Sequence, residues 1–180
     1  QAGEVKFPVF VKPARGSASL NINKVTTIEE IEQLFNRFDD LIIQEYIQGT
    51  EFGADVYIDM VSNEPVAIFI KEKLKMRAGE TDKSVSIKDD MIFKLIKDLV
   101  NKMNFVGVLD IDIFKVNDEY LISEVNPRFG GGYPHAHESG INVPEMILKN
   151  LKGLKNHNQI GEYNEREIML KYSEVTVFQQ

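Results

Sequence analysis

The sequence has no cysteine, which excludes disulfides, zinc–thiolate centres and thiol catalysis together. It has no apolar run near the ~20 residues a membrane-spanning helix needs, and its opening QAGEVKFPVF carries no secretory pattern, so the expectation is a cytoplasmic protein without a membrane partner. Basic residues are in the minority: 21 Lys and Arg against 28 Asp and Glu give a net charge of −7, which argues against a general nucleic-acid surface. No G-x-x-x-x-G-K-[ST] run occurs, nor the H-R-D and D-F-G words of protein kinases. There is no internal repeat and no low-complexity segment. What remains is ordinary for a globular domain with a real core: 180 residues, 43% hydrophobic and 27% charged.

The most informative stretch is residues 106–132, VGVLDIDIFKVNDEYLISEVNPRFGGG, where acids, an amide and a guanidinium interrupt apolar runs. It reads as two strands joined by a three-residue turn at Asn117, Asp118 and Glu119. Strand alternation puts Asp110 and Asp112 on one face and Leu109, Ile111 and Ile113 on the other. A three-residue loop sets Asp112 opposite Glu124 and Asp110 opposite Asn126, whereas a two-residue turn slips the register and sends Glu124 to the wrong face. Carboxylates facing each other across a ladder repel unless a cation lies between them, and oxygen-only donors select a hard ion, Mg²⁺ or Mn²⁺. The plainer reading of the alternating acids is a solvated hairpin face. The following E-x-N-P-R and three glycines, which a solvated face does not need, favour the metal.

Upstream, residues 7–13 form a short strand ending on Lys12, and residues 14–19 (ARGSAS) form a loop of small residues whose N–H groups suit phosphate oxygens, though such turns are common. Thr27 and Glu30 make a capping box for an amphipathic helix ending near Asp39, with Ile28, Ile31, Leu34, Phe35 and Phe38 assigned to the core. A strand at 41–47 follows, then strands at 52–60 and 65–76. The last alternates Lys71, Lys73 and Lys75, by default the charges of an edge strand, with Lys73 and Arg77 as candidate substrate-side cations. The polar run 78–84 reads as a lid or substrate loop, 88–103 as a second helix and 130–140 as a glycine-rich segment bearing His135 and His137. Two histidines at i, i+2 without a third ligand are expected to line or close a cleft, not to bind metal. A third helix starts near Asn142, residues 153–162 read as a polar, mobile run, and an alternating pattern returns at 167–178.

Glu124-Val125-Asn126-Pro127-Arg128 resembles the E-x-N-P-R signature of the ATP-grasp superfamily, and Phe129-Gly130-Gly131-Gly132-Tyr133-Pro134 resembles its carbamoyl-phosphate-synthase-like branch, as does Arg77-Ala78-Gly79-Glu80. Gln44-Glu45-Tyr46-Ile47-Gln48-Gly49-Thr50-Glu51 is similar to the same family's hinge. The resemblance implies an α+β fold of two lobes with mainly antiparallel sheets enclosing a nucleotide cleft. A small lobe is expected over 1–50, a larger one over 51–153 and a C-terminal extension over 154–180. Asp112, Glu124 and Asn126 would then hold Mg²⁺, although the family often has Glu or Gln where Asp112 stands. Lys12 with Gly16, Ser17 and Ser19 would take the phosphates of ATP. Glu45 and the Tyr46 and Ile47 backbone would contact adenine, Glu51 the ribose, and Arg128 the transferring phosphoryl group. Without the resemblance, Glu45 and Glu51 are simply exposed acids.

The implied activity is an ATP-dependent ligase, most often C–N bond forming, that activates a carboxylate as an acyl phosphate for attack by an amine or other nucleophile. Bicarbonate phosphorylation, as in carbamoyl- or carboxy-phosphate synthesis, is the alternative, and a non-catalytic interaction domain keeping the fold is a third. Family members usually carry a preceding α/β domain that completes the acceptor site. The expectation is therefore that this chain is a fragment, inactive by itself, with a homo-oligomer as a further possibility.

Overall fold

The structure, a computed structural model, describes residues 5–15 and 23–179, and the chain divides into two units, Gln1–Gln48 and Gly49–Gln180. Gly16, Ser17 and Ser19, which the resemblance expects to take phosphate, lie outside the described residues.

In the first unit, strand β1 (Val9–Pro13) is flanked antiparallel by β2 (Asn23–Val25) and β3 (Leu41–Glu45). Val9, Val11 and Val25 share one face and pack against Ile31, Leu34 and Leu41. Ile31 and Leu34 come from helix α1 (Ile28–Arg37), where Thr27 Oγ1 accepts from Glu30 N at 3.3 Å. The Glu30 carboxylate reaches back one residue further than a standard capping box, accepting from Thr26 N at 2.8 Å. Ile28 and Phe35 are not core residues as their spacing indicates, being 55% and 44% exposed. A three-stranded sheet is wide enough to cover only the Ile31–Leu34 stripe of the helix.

The second unit is built on a six-stranded antiparallel sheet in the order β8-β7-β4-β5-β6-β9. Its strands are β4 (Thr50–Ile58), β5 (Pro65–Arg77), β6 (Glu80–Ile87), β7 (Gly107–Val116), β8 (Glu119–Asn126) and β9 (Ile168–Leu170). One face carries Phe52, Ala54, Val56, Ile68, Ile70, Leu109, Ile111 and Ile113, covered by Ile92, Ile96 and Val100 of helix α2 (Asp90–Met103). Asp89 caps that helix, accepting from Met91 N and Ile92 N at 2.8 and 3.1 Å. Half of the other face is covered as well: Tyr57, Ala67 and Phe69 pack against Ala136 of α3 (Tyr133–Glu138) and Val143 and Met146 of α4 (Val143–Leu151). The remaining half of this second face carries the charged residues.

Three segments differ from the sequence reading. Residues 78–84 are not a lid: Ala78 and Gly79, with φ of 51° and 78°, make a two-residue hairpin turn, and the rest is β6, with Thr81, Asp82 and Ser84 buried. β5 is therefore an interior strand, and its lysines do not guard an edge. Residues 153–162 are pinned, Gln159 N donating to Val66 O at 2.6 Å and Asn156 reaching Asp59. The late strand shrinks to three residues, Ile168–Leu170, paired with β6.

Candidate functional site

The site grows from the β7–β8 hairpin. Its turn has two residues, Asn117 and Asp118, because Val116 pairs with Glu119. By itself that turn puts Glu124 on the wrong face. The ladder slips once more between Asp112 and Ile113, where Ser123 is the extra residue of a β-bulge. The bulge restores the pairing Asp112↔Glu124 and Asp110↔Asn126. It also lets Ile122 and Val125, three residues apart, both pack towards the α2 face. The expected register is thus reached by a different route from a three-residue loop.

Beside the hairpin, β4 sets Asp55 opposite Asp110 and Gly53 opposite both Asp112 and Lys71. Glu51, Asp55, Asp110 and Asp112 therefore crowd one sheet face together with Glu124 of β8, and two lysines of β5 lie among them. Lys71, 1% exposed, pairs with Asp55. The Lys73 ammonium lies 2.7 Å from both Glu51 Oε1 and Asp112 Oδ1. Burial works against that charge, but Asp112 and Glu51 outweigh it and raise the Lys73 pKa. Asp110 is the acid left short of compensation. Burial first, then the charges of Asp112 and Asp55, push its pKa up to about 6, although Arg128 Nη1 lies 3.2 Å from its Oδ2.

After Arg128 the chain crosses this face as a strap of glycines. A Cβ on Gly130 would overlap the Asp110 carboxylate, one on Gly131 would come within 2.7 Å of the Glu80 carboxyl, and one on Gly132 within 2.7 Å of Lys71 Cε. Backbone here runs directly over charged side chains, and a Cβ at any of the three would have to displace one of them. Beyond them Tyr133 ties α3 to α4, its hydroxyl accepting from Val143 N at 2.9 Å and donating to Ile141 O at 3.1 Å.

Of the residues singled out from sequence, the structure brings Glu51, Lys73, Asp112, Glu124, Asn126 and Arg128 onto this one face. Arg77 stands apart at the end of β5, past two irregularities in the ladder, with Asp82 Oδ1 at 3.6 Å and Ser173 Oγ at 3.4 Å. In the smaller unit, Lys12 pairs with Ile42 in the β1–β3 ladder, and Tyr46 and Ile47 follow its last pair, Val9↔Glu45. The Tyr46 ring lies edge-on to Phe10 with its centroid 5.0 Å away, and Lys24 Nζ sits 4.0 Å above it. His135 does not line a cleft. It is 4% exposed, its Nδ1 is 2.8 Å from Ser84 Oγ, and it packs edge-on against Phe69; burial and the nearby Lys71 lower its pKa. The Asp55–Lys71 pair was missed, although Asp55 stands out in the sequence as an acid inside an apolar strand.

Among the described residues no three His, Cys, Asp or Glu side chains converge on a metal position. Asp112, Glu124 and Asn126 on that face offer oxygen donors alone, a set whose chemistry fits a hard divalent cation. A cation held there would offset the Asp112 charge that, after burial, helps to raise the Asp110 pKa.

The model of the ATP-grasp domain family matches residues 2–132. A D-alanine–D-alanine ligase of Bacillus licheniformis is 29% identical over 169 residues, covering 82% of this chain and 47% of the relative. The carbamoyl phosphate synthase large chain of Lachnoclostridium phytofermentans is 24% identical over 163 residues, covering 82% of this chain and 15% of the relative. The chain spans about half the length of the curated D-alanine–D-alanine ligases it matches, from 47% to 55% for three of them. Among solved structures, the biotin carboxylase–β,γ-ATP complex of Campylobacter jejuni superposes with a TM-score of 0.70 at 17% identity, over 91% of this chain and 41% of that one. The N5-carboxyaminoimidazole synthetase of Staphylococcus aureus complexed with ADP gives 0.69 at 15% identity, over 84% and 43%.

Proposed function

The chain belongs to the ATP-grasp family, and from that premise we propose that it is the ATP- and Mg²⁺-binding region of an ATP-dependent ligase that activates a carboxylate as an acyl phosphate. The observation that carries the proposal is the bulge-corrected register that sets Asp112 opposite Glu124 and turns Asn126 to the same face. These three residues would hold Mg²⁺, which supplies charge neutralisation on the phosphate oxygens. Phosphoryl transfer asks the protein for alignment and electrostatic support, with little covalent help. Lys12 with Gly16, Ser17 and Ser19 takes the phosphates, Glu45 with the Tyr46 and Ile47 backbone the adenine, and Glu51 the ribose. Lys73 holds Asp112 and Glu51 in place, Arg128 stabilises charge on the transferring group, and Arg77 serves the acceptor side. A carboxylate oxygen of the acceptor attacks the γ-phosphorus and ADP leaves. An amine or another nucleophile then attacks the acyl carbon, and phosphate leaves.

The ligase relatives support this reading, and the carbamoyl phosphate synthase relative favours a second acceptor, bicarbonate, phosphorylated by the same residues. The remainder of the acceptor site would come from a preceding α/β domain, and the chain alone would not turn over. Calorimetry with MgADP tests the nucleotide site directly. Glu124→Gln is expected to abolish the Mg²⁺ dependence of binding and to weaken MgADP at least about tenfold, the loss of one charged metal ligand. Unaltered Mg²⁺-dependent binding in that variant would remove the metal role given to Glu124, whereas a wild-type chain that binds no MgADP would leave the interaction-domain reading. In a protein that carries the remainder of the acceptor site, labelled bicarbonate appearing in product separates the two acceptors.

A further inference from the structure

The chain after the last helix returns to the site. Arg166 N donates to Ser86 O and Ser86 N to Glu167 O, both at 2.9 Å. The ladder pairs Val85↔Ile168, Ser84↔Met169 and Lys83↔Leu170 follow. Lys171 N then donates to Asp82 O at 3.0 Å. Backbone bonds along the edge of β6 therefore fix where the Lys171 side chain starts. Its ammonium donates to Gly131 O at 2.5 Å and lies 3.2 Å from Glu80 Oε2.

Gly131 is the middle of the glycine strap, and the strap needs such a tether. Three glycines in succession have no side chains to anchor them and the largest backbone freedom to lose. Among the described residues the strap's other backbone bonds are short-range turns, Tyr133 N to Gly130 O and His135 N to Gly132 O, each 3.1 Å. Among the described residues Arg128, at its upstream end, is bonded locally and to Asp110: N to Asn126 O at 2.8 Å, Nη1 to Phe129 O at 3.1 Å and Nη1 to Asp110 Oδ2 at 3.2 Å. The Lys171 bond comes from 40 residues away in sequence and is charge-assisted. It lies beyond residue 132, where the family match ends.

We propose that Lys171 is a positioning residue: by holding the Gly131 carbonyl it fixes the strap over the sheet and keeps the Arg128 guanidinium where a terminal phosphate is met. The second half of this statement rests on the nucleotide reading above; the first half does not. The C-terminal segment is thus a working part of the site.

Hydrogen–deuterium exchange on the chain as it stands tests the tether. In Lys171→Met the Tyr133 and His135 amides, which the Gly130 and Gly132 carbonyls of the strap hold, are expected to exchange about tenfold faster, as loss of one charge-assisted bond requires, while those of α2 stay unchanged. Lys171→Arg, which keeps a cationic donor, restores protection. If Lys171→Met also loses protection in α2, Lys171→Gln is measured in its place. Calorimetry then separates the roles: a non-hydrolysable MgATP analogue weakens about tenfold in Lys171→Met, MgADP less than about twofold, and Lys171→Arg recovers both. Unchanged strap exchange, failure of the arginine to rescue, or equal loss of both nucleotides overturns the proposal. A wild-type chain that binds neither nucleotide sinks the functional reading instead, and the exchange result alone then decides whether Lys171 tethers the strap.

Discussion

Asp110→Asn provides a quantitative test of the electrostatics. The Asp110 side chain is 15% exposed and faces Asp55 across the ladder, with Asp112 two residues on. Burial first, and those two charges next, lift its pKa from 3.8 to about 6. A rise of about two pH units at ~1.4 kcal/mol each amounts to about 3 kcal/mol, a ceiling because water reaches part of the group. The sign follows from proton linkage. Between the two pKa values the folded chain binds more protons than the unfolded one, so stability falls as pH climbs from about 4 to about 6 and levels off above. Asparagine carries no such penalty and still offers Arg128 an acceptor oxygen.

Urea unfolding of wild type and Asp110→Asn, followed by far-ultraviolet circular dichroism from about pH 4 to pH 7.5, reads the effect as a difference in which other titrating groups cancel. The two proteins are expected to be equally stable near pH 4, and the variant is expected to be more stable by up to about 3 kcal/mol at pH 7.5. Saturating MgADP should narrow the gap, since a cation held by Asp112 and Glu124 offsets one of the charges acting on Asp110. A gap that does not vary with pH, or a wild type that gains on the variant as pH rises, refutes the reasoning.

Lys73→Met removes the cation that sits 2.7 Å from both Glu51 and Asp112 and leaves two acids facing each other, a loss of about 3 kcal/mol in urea unfolding. Part of it should return on adding Mg²⁺ with ADP. Asp59→Asn sets an amide among donors: Asp59 accepts from Ser62 N, Asn150 Nδ2 and Asn156 N, each at 2.8 Å, and should lose about 3 kcal/mol at neutral pH. Burial opposes the Asp59 charge, but the bonds from Asn150, Asn156 and Ser62 outweigh it and hold the pKa well below its ordinary 3.8. The stabilisation is therefore complete above 3.8 and disappears as pH falls through the lower folded value, so acid unfolding of wild type should be steeper than that of the variant.

The parts of the site legible from sequence were those written in strand alternation. Asp110 and Asp112 interleaved with Leu109, Ile111 and Ile113 announce two faces, and the structure keeps both. The bulge at Ser123 was not legible, because a serine inside a strand reads the same whether it is paired in step or inserted. Nor was the companionship of Asp55 and Lys71. Sixteen residues separate them, and the fact that β4 lies between β5 and β7 is a nonlocal property no local pattern reports.

The largest error, reading 78–84 as a loop, has the same origin. Thr81, Asp82 and Ser84 look too polar for an interior strand when burial is equated with a dry core. Here the buried face is itself polar: Ser84 meets His135, Ser86 Oγ donates to Asn164 O at 2.7 Å, and Lys171 N takes the Asp82 carbonyl. A sheet that must hold ionic chemistry on one side breaks the pattern that identifies strands where the chemistry lies. Disagreement between local polarity and observed burial is therefore itself a pointer to the working face, and it runs through β6 as far as the residue that follows β9, Lys171.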